Sequence, residues 1–157
     1  MFTKEERSRF PYWFAHVCAY NMTALNCKAW KFKYLFHDIE KPFLRLFLPY
    51  KKVQKLHREN NRHHPEWLEV KLRKKDEKMV KYLYAFDYKG AIIDWESCRF
   101  TKQDCPLNAY NEYKRLLDYE HFKSKYPLIT KYFYNEFSKK LLEAIEELNL
   151  KQEQYGI

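Results

Sequence analysis

Glycine is scarce in this chain: Gly90 and Gly156 are the only two. Neither the GxGxxG turn of a dinucleotide-binding fold nor the GxxxxGK loop of a P-loop enzyme can be built from them, because both need several glycines where backbone approaches phosphate. Cysteine is also sparse. Cys18, Cys27, Cys98 and Cys105 form no CxxC pair, and the amino terminus opens on the charged "MFTKEERSR" rather than on a secretory leader, so a reducing, cytosolic setting is expected. No apolar run approaches the roughly 20 residues that a membrane span needs, which predicts a soluble protein. Acidic residues are outnumbered, 21 against 30 Lys and Arg, and the resulting +9 charge favours anionic partners.

What is present suits a packed core. Apolar residues make up 46% and aromatic residues 19%, enough to exclude disorder, and a length of 157 residues predicts one domain spanning 1–157. Apolar spacing is helical nearly throughout. In "FPYWFAHVCAYNMTALNCKAW" one face carries Phe14, Val17, Cys18 and Leu25 and another carries Trp13, His16, Tyr20, Ala24 and Cys27, the pattern of a helix buried on two sides. "WKFKYLFHDIEKPF" reads as a second helix ended by Pro42, and the helix beginning at Lys51 runs to the histidine cluster, where Pro65 halts it. Gly90 is either a join or a weak point in a buried helix around Asp94. Helix starts are expected in "TKQDCPLNAYNEY" and "FKSKYPLITKYFY", each with a polar cap shortly before its proline. Phe133, Phe137, Leu141, Ile145 and Leu148 mark a long final amphipathic helix. The expected fold is all-α, a compact bundle of about six to eight helices.

Several polar residues lie where such a bundle has no use for them. His37 and Asp38 sit among Tyr34, Leu35, Phe36 and Ile39, with Lys41 one turn on; His16 lies in the doubly apolar first helix; Asp94 is flanked by Ile92, Ile93 and Trp95. "HRENNRHHPEW" adds His57, His63 and His64. Neutral imidazoles and carboxylates together form the mixed N/O set that suits manganese, iron, cobalt, nickel or zinc. His57 and His64 are close to two helical turns apart and share a face if the helix persists, while His63 would point about a third of a turn away; Pro65 loosens the end enough to turn both rings inward. The order of preference as ligands is His64, His63, His57. His121 fits no pattern and is expected at the surface.

At this point "FHDIEK" resembles the His-Asp signature, with its following lysine, of the HD-domain phosphohydrolase superfamily, an all-helical metal-dependent fold. His16 matches that pattern's first metal-binding histidine and Asp94 its closing aspartate. "HRENNRHH" resembles the extra histidines of binuclear members such as the HD-GYP phosphodiesterases, although no GYP segment follows and the spacing from His57 to the pair is shorter. A nearer resemblance is to an uncharacterised family of small bacterial and phage HD-like proteins, carried by "HDIEK", "NNRHHPEW" and "IIDWES". The resemblance implies a metal-site core over residues 10–100, carboxy-terminal helices over 106–150, and one or two divalent ions held by His16, His37, Asp38, His57, His63, His64 and Asp94. It further implies hydrolysis of a phosphate ester of a small anionic substrate, a nucleotide above all, with Asp38 bridging the ions and Lys41 on a phosphate oxygen. Arg58 and Arg62 flank the cluster as candidates for the remaining phosphates.

Two alternatives stay open. The same ligands serve HD-type di-iron oxygenases, and the +9 charge with many tyrosines suits a single-stranded nucleic-acid-binding module without catalysis, supported locally by "KLRKKDEK" and the lysines of "HFKSKY".

Overall fold

The computed structural model of the chain describes residues 2–3, 5–73, 79–102 and 108–150. Among them only helices and their connections occur, so the all-α expectation holds. The helices are α1 (Phe10–Asn26), α2 (Glu40–Leu44), α3 (Tyr50–Asn60), α4 (Pro65–Arg73), α5 (Met79–Ala85), α6 (Tyr88–Thr101), α7 (Ala109–Leu116), α8 (Tyr119–Lys125) and α9 (Lys131–Glu147), with 3-10 turns at Glu6–Ser8 and Phe32–Phe36. The described residues thus hold more helices than the sequence spacing predicts, because short pieces such as α2 and α8 leave no clear period. Cys105, Pro106 and residues 74–78 of the basic run lie outside the described residues.

Helix α6 is the axis. Residues 90–98 are buried without interruption, which explains its lack of a clear apolar stripe: α1, α7 and α9 cover it from several sides. The small Ala24 on α1 and Ala91 on α6 are both fully buried and let backbones approach closely. Gly90 belongs to the first turn of α6, neither a join nor a weak point. A Cβ there would lie 2.7 Å from the carboxylate of Asp87, the residue that caps α6 by accepting the Gly90 N–H at 3.0 Å.

Helices α7, α8 and α9 are likewise capped, by Asn108, Asp118 and Thr130. Asn108 and Thr130 follow the prolines of their segments instead of preceding them, since a proline placed before the cap costs no helical N–H. The stripe of α9 is as expected, with Phe133, Phe137, Leu141, Ile145 and Leu148 all buried. Phe137 sits within an aromatic group, its ring centroid 5.0 Å from Phe86 and 6.1 Å from Phe122.

Three expectations are corrected. α1 is buried chiefly on one side: His16, Tyr20 and Ala24 face inward and Val17 of the second expected face is buried too, but Phe14, Cys18 and Leu25 are exposed, since no described helix covers them. The second predicted helix is a 3-10 turn, then a left-handed Asp38 (φ 56°), then α2, in which Pro42 lies within the first turn, where its missing N–H is tolerated. Pro65 does not halt α3, which ends at Asn60; it opens α4.

Truncating Phe137 to Ala removes a ring at the centre of the core, and urea titration is expected to show a loss of about 3–5 kcal/mol. The same change at the 83% exposed Phe47 is expected to stay within about 0.5 kcal/mol.

Candidate metal centre

Four separate parts of the chain deliver side chains to one buried point between α1, α3 and α6. From α1, the inward stripe places His16 so that its Nε2 is 3.0 Å from Asp94 Oδ1 on α6. The segment after the 3-10 turn adds His37 and Asp38. The left-handed backbone at Asp38, a conformation that aspartate tolerates better than most residues, turns both neighbouring side chains into the same space. His37 is held by stacking on Tyr20 at 3.8 Å between ring centroids, and its carbonyl accepts the Trp13 indole N–H at 2.8 Å. Its Nε2 lies 3.4 Å from Asp38 Oδ1 and 3.5 Å from Asp94 Oδ1.

On the other side of Asp38 stand His57, His63 and His64. His57 Nε2 is 3.4 Å from Asp38 Oδ1 and 2.8 Å from His64 Nε2, and His63 Nε2 is 3.7 Å from Asp38 Oδ1. His57 and His64 meet although α3 ends between them: residues 61–64 form a turn, and that turn also swings His63 inward, against the one-third-turn offset that a continuous helix would give it. All seven predicted ligands are therefore brought together. Their donor atoms fall into two groups, His16–His37–Asp38–Asp94 and His57–His63–His64, each within 4.8 Å, and Asp38 of the first lies 3.4 Å from His57 and 3.7 Å from His63 of the second.

Glu40 was not foreseen. Its Oε1 lies 2.5 Å from His57 Nδ1 and accepts from Asn61 Nδ2 at 2.9 Å, which orients the ring with Nε2 toward the centre; with Asp38 and His57 it forms a third possible donor group. The "HDIEK" string contains Glu40, but only the tertiary fold brings it against a histidine seventeen residues later. Lys41 donates to Asp38 Oδ2 within the centre itself.

Burial decides the protonation of these groups. It lowers the pKa of His16, His57 and His64, and pushes His63 down to about 3, so all four imidazoles are neutral. Burial alone would raise the two aspartates. The neighbouring histidines outweigh it, with Lys41 adding to the effect at Asp38, and hold both carboxyls well below the usual range. The centre thus presents neutral nitrogens and ionised oxygens. His37 Nε2, His63 Nε2 and Asp38 Oδ1 are buried without a hydrogen-bond partner, which is a costly state for donor atoms unless a cation takes them up. The residues fit one or two divalent transition ions.

Two pockets flank the centre. One, of about 240 Å³, includes His64 and Asp94 in its wall and is lined by Arg58, Lys102, Arg115 and Lys125, with the rings of Trp95, Phe122 and Tyr126. His121 is exposed, as expected, but it lines this pocket too. The other, of about 340 Å³, is lined by His37, Asp38, His63, Lys33 and Arg62 together with Glu40 and Asp87. Arg58 and Arg62 are therefore divided between opposite sides. No protein-family model, curated protein or solved structure matches the chain. Among the described residues no helix is long and apolar enough to cross a membrane.

In the unfolded chain histidines titrate near ~6.5, whereas His16, His57, His63 and His64 are lowered in the fold. Between those values the unfolded chain holds more protons, so stability falls as pH drops. Asp38 and Asp94, also lowered, keep their contribution until the pH is below their unfolded value of ~4. Thermal melts of the metal-free protein are expected to show stability lost from about pH 6.5 downward, by up to ~1.4 kcal/mol per pH unit for each histidine.

Proposed function

We propose that this chain is a metal-dependent phosphohydrolase of the HD-domain type acting on a phosphate ester, a nucleotide in particular. The observation that carries the proposal is a charge imbalance in a buried place. Asp38, Asp94 and the half-buried Glu40 are ionised, the imidazoles of His16, His57, His63 and His64 are neutral, and Lys41 donates to an oxygen of the centre. A divalent ion restores the balance and takes up the orphaned donors. When bound, manganese, iron, cobalt, nickel or zinc supplies a Lewis acid for phosphoryl oxygens and acidifies a water near neutral pH.

The chain's own residues do the rest. Asp38 stands between the two donor groups and is the residue able to serve both. Glu40 and Asn61 fix the His57 ring, and the His37 ring is fixed by Tyr20. Lys41 Nζ, held by Asp38, lies beside the centre to neutralise charge on a phosphate. The pocket of Arg58, Lys102, Arg115 and Lys125 suits an anionic substrate better than the other: its four cations outnumber Asp94, Glu66 and Glu112, the last two paired with Arg58 and Arg115, whereas Lys33 and Arg62 are outnumbered by Asp38, Glu40 and Asp87. Its aromatic wall suits a base or another flat leaving group.

Elemental analysis of purified protein tests the centre. About one to two equivalents of a transition metal are expected, lost in His37→Ala and Asp94→Ala with the helical circular dichroism retained, and phosphate esters are expected to be hydrolysed only by loaded protein. Glu40→Gln, which removes an orienting carboxylate, is expected to weaken metal affinity roughly 10–100-fold in a chelator competition. No metal after reconstitution refutes the proposal; iron with a visible absorption band, oxygen consumption and no phosphate release replaces it with an oxygenase.

The choice of pocket is tested separately. Arg115→Gln and Lys125→Gln are expected to raise KM for a nucleotide substrate roughly tenfold with kcat little changed, the signature of lost ground-state binding, while Arg62→Gln leaves both nearly unaltered.

A further inference from the structure

Helix α1 carries none of the chain's Lys, Arg, Asp or Glu residues over its full length, Phe10–Asn26. Its inner face holds His16 and Tyr20. Its outer face runs Phe10, Phe14, Cys18, Met22 and Leu25, all exposed. The stripe is extended at its start by α2 and the residues after it. Phe43 lies 6.1 Å from Phe10 between ring centroids, and Leu46 lines a shallow, largely apolar groove with Phe10, Pro11 and Pro42, edged by Arg9 and Arg45 at this end of the stripe. Phe10, Phe14, Met22, Leu25, Phe43 and Leu46 are each 53–75% exposed. At on the order of 100 Å² per large side chain they make a patch of about 600 Å². Monomers rarely leave more than a few hundred Å² of contiguous apolar surface open, and a standard interface covers about 800 Å² on each partner.

We infer that this face is the contact between two copies of the chain, α1 against α1 across a twofold axis. Three features favour a second copy over other occupants. A twofold contact sets every residue of the patch against the same patch, which forbids like charges near its centre, and α1 has none. The patch by itself reaches the size of a small interface. A helix that lies on lipid carries Lys and Arg along its polar flank, which α1 lacks throughout. Antiparallel pairing sets the Phe10–Phe43–Leu46 end of one copy against the Met22–Leu25 end of the other. Cys18, the middle residue of α1, then comes to the axis and faces its own counterpart.

Sedimentation equilibrium of the full chain at micromolar concentration is expected to give twice the chain mass. Phe14→Glu combined with Met22→Glu, which sets like charges against each other across the axis, is expected to give the chain mass, with circular dichroism and metal content unchanged, since both side chains are already exposed. Mild oxidation with copper phenanthroline needs no change to the patch. It is expected to convert wild type to a dimer on non-reducing gels, to do so equally in Cys105→Ser, and to fail in Cys18→Ser. A monomeric wild type overturns the inference, and a monomer that pellets with anionic phospholipid vesicles assigns the face to lipid instead. A dimer that survives the double substitution, or one that cross-links without Cys18, also overturns it.

Discussion

Two carboxylates buried among neutral imidazoles set the terms for the whole amino-terminal half of the molecule. An ionised aspartate in a helical interior is stable only if its charge is met, and a histidine whose own pKa is depressed by burial meets it with hydrogen bonds but not with charge. Helix α6 shows the difference within two residues. Glu96, also buried, has its oxygens taken by the Ala109 N–H at 3.0 Å and by Arg99 at 3.0 Å, so it serves as a structural clamp on the start of α7. Asp94, one short step earlier, faces His16 and His37. The first acid is explained by the fold alone, and the second is not.

That demand accounts for the least regular stretch of the backbone. A continuous helix through residues 32–44 would place His37 and Asp38 100° apart around its axis and prevent both from reaching one point. The left-handed conformation of Asp38 breaks the helix there, at a cost of roughly 1–2 kcal/mol, and directs both side chains inward. The turn at residues 61–64 does the same for His63 and His64. Irregularity is concentrated where ligands are presented, while α6 and α9, which form the packed core, remain regular and well capped.

The same division governs what could be seen in the sequence. The long stripe of α9 and the inward series of His16, Tyr20 and Ala24 follow from spacing, because regular helices turn spacing into position, and the burial of Asp94 follows from its apolar neighbours Ile92, Ile93 and Trp95. The ligand set was legible from residue type in apolar surroundings, but its geometry was not. An unbroken helix points His63 away and a loosened end lets it turn inward; the second holds, although the break comes at Asn60 and Asn61 rather than at Pro65. Glu40 escaped notice because its partner, His57, belongs to another helix, and a contact between helices leaves no period in either strand of sequence. Of the cations lining the pocket beside Asp94, Arg58 is legible beside the histidines, but Lys102, Arg115 and Lys125 come from the end of α6, from α7 and from α8, and nothing in their own segments points to the site.

Helix α1 failed one expectation in an informative way. Apolar residues on both of its sides predict burial on both, yet the described residues cover chiefly the side with His16. Sequence hydrophobicity records that a face avoids water; it does not record which molecule supplies the cover. The inner face holds His16, a candidate ligand, against Asp94 of α6, so any body that packs on the outer face bears on the helix that carries it. Exposed apolar surface and buried polar atoms are both unusual states for a protein, and α1 has one on each side.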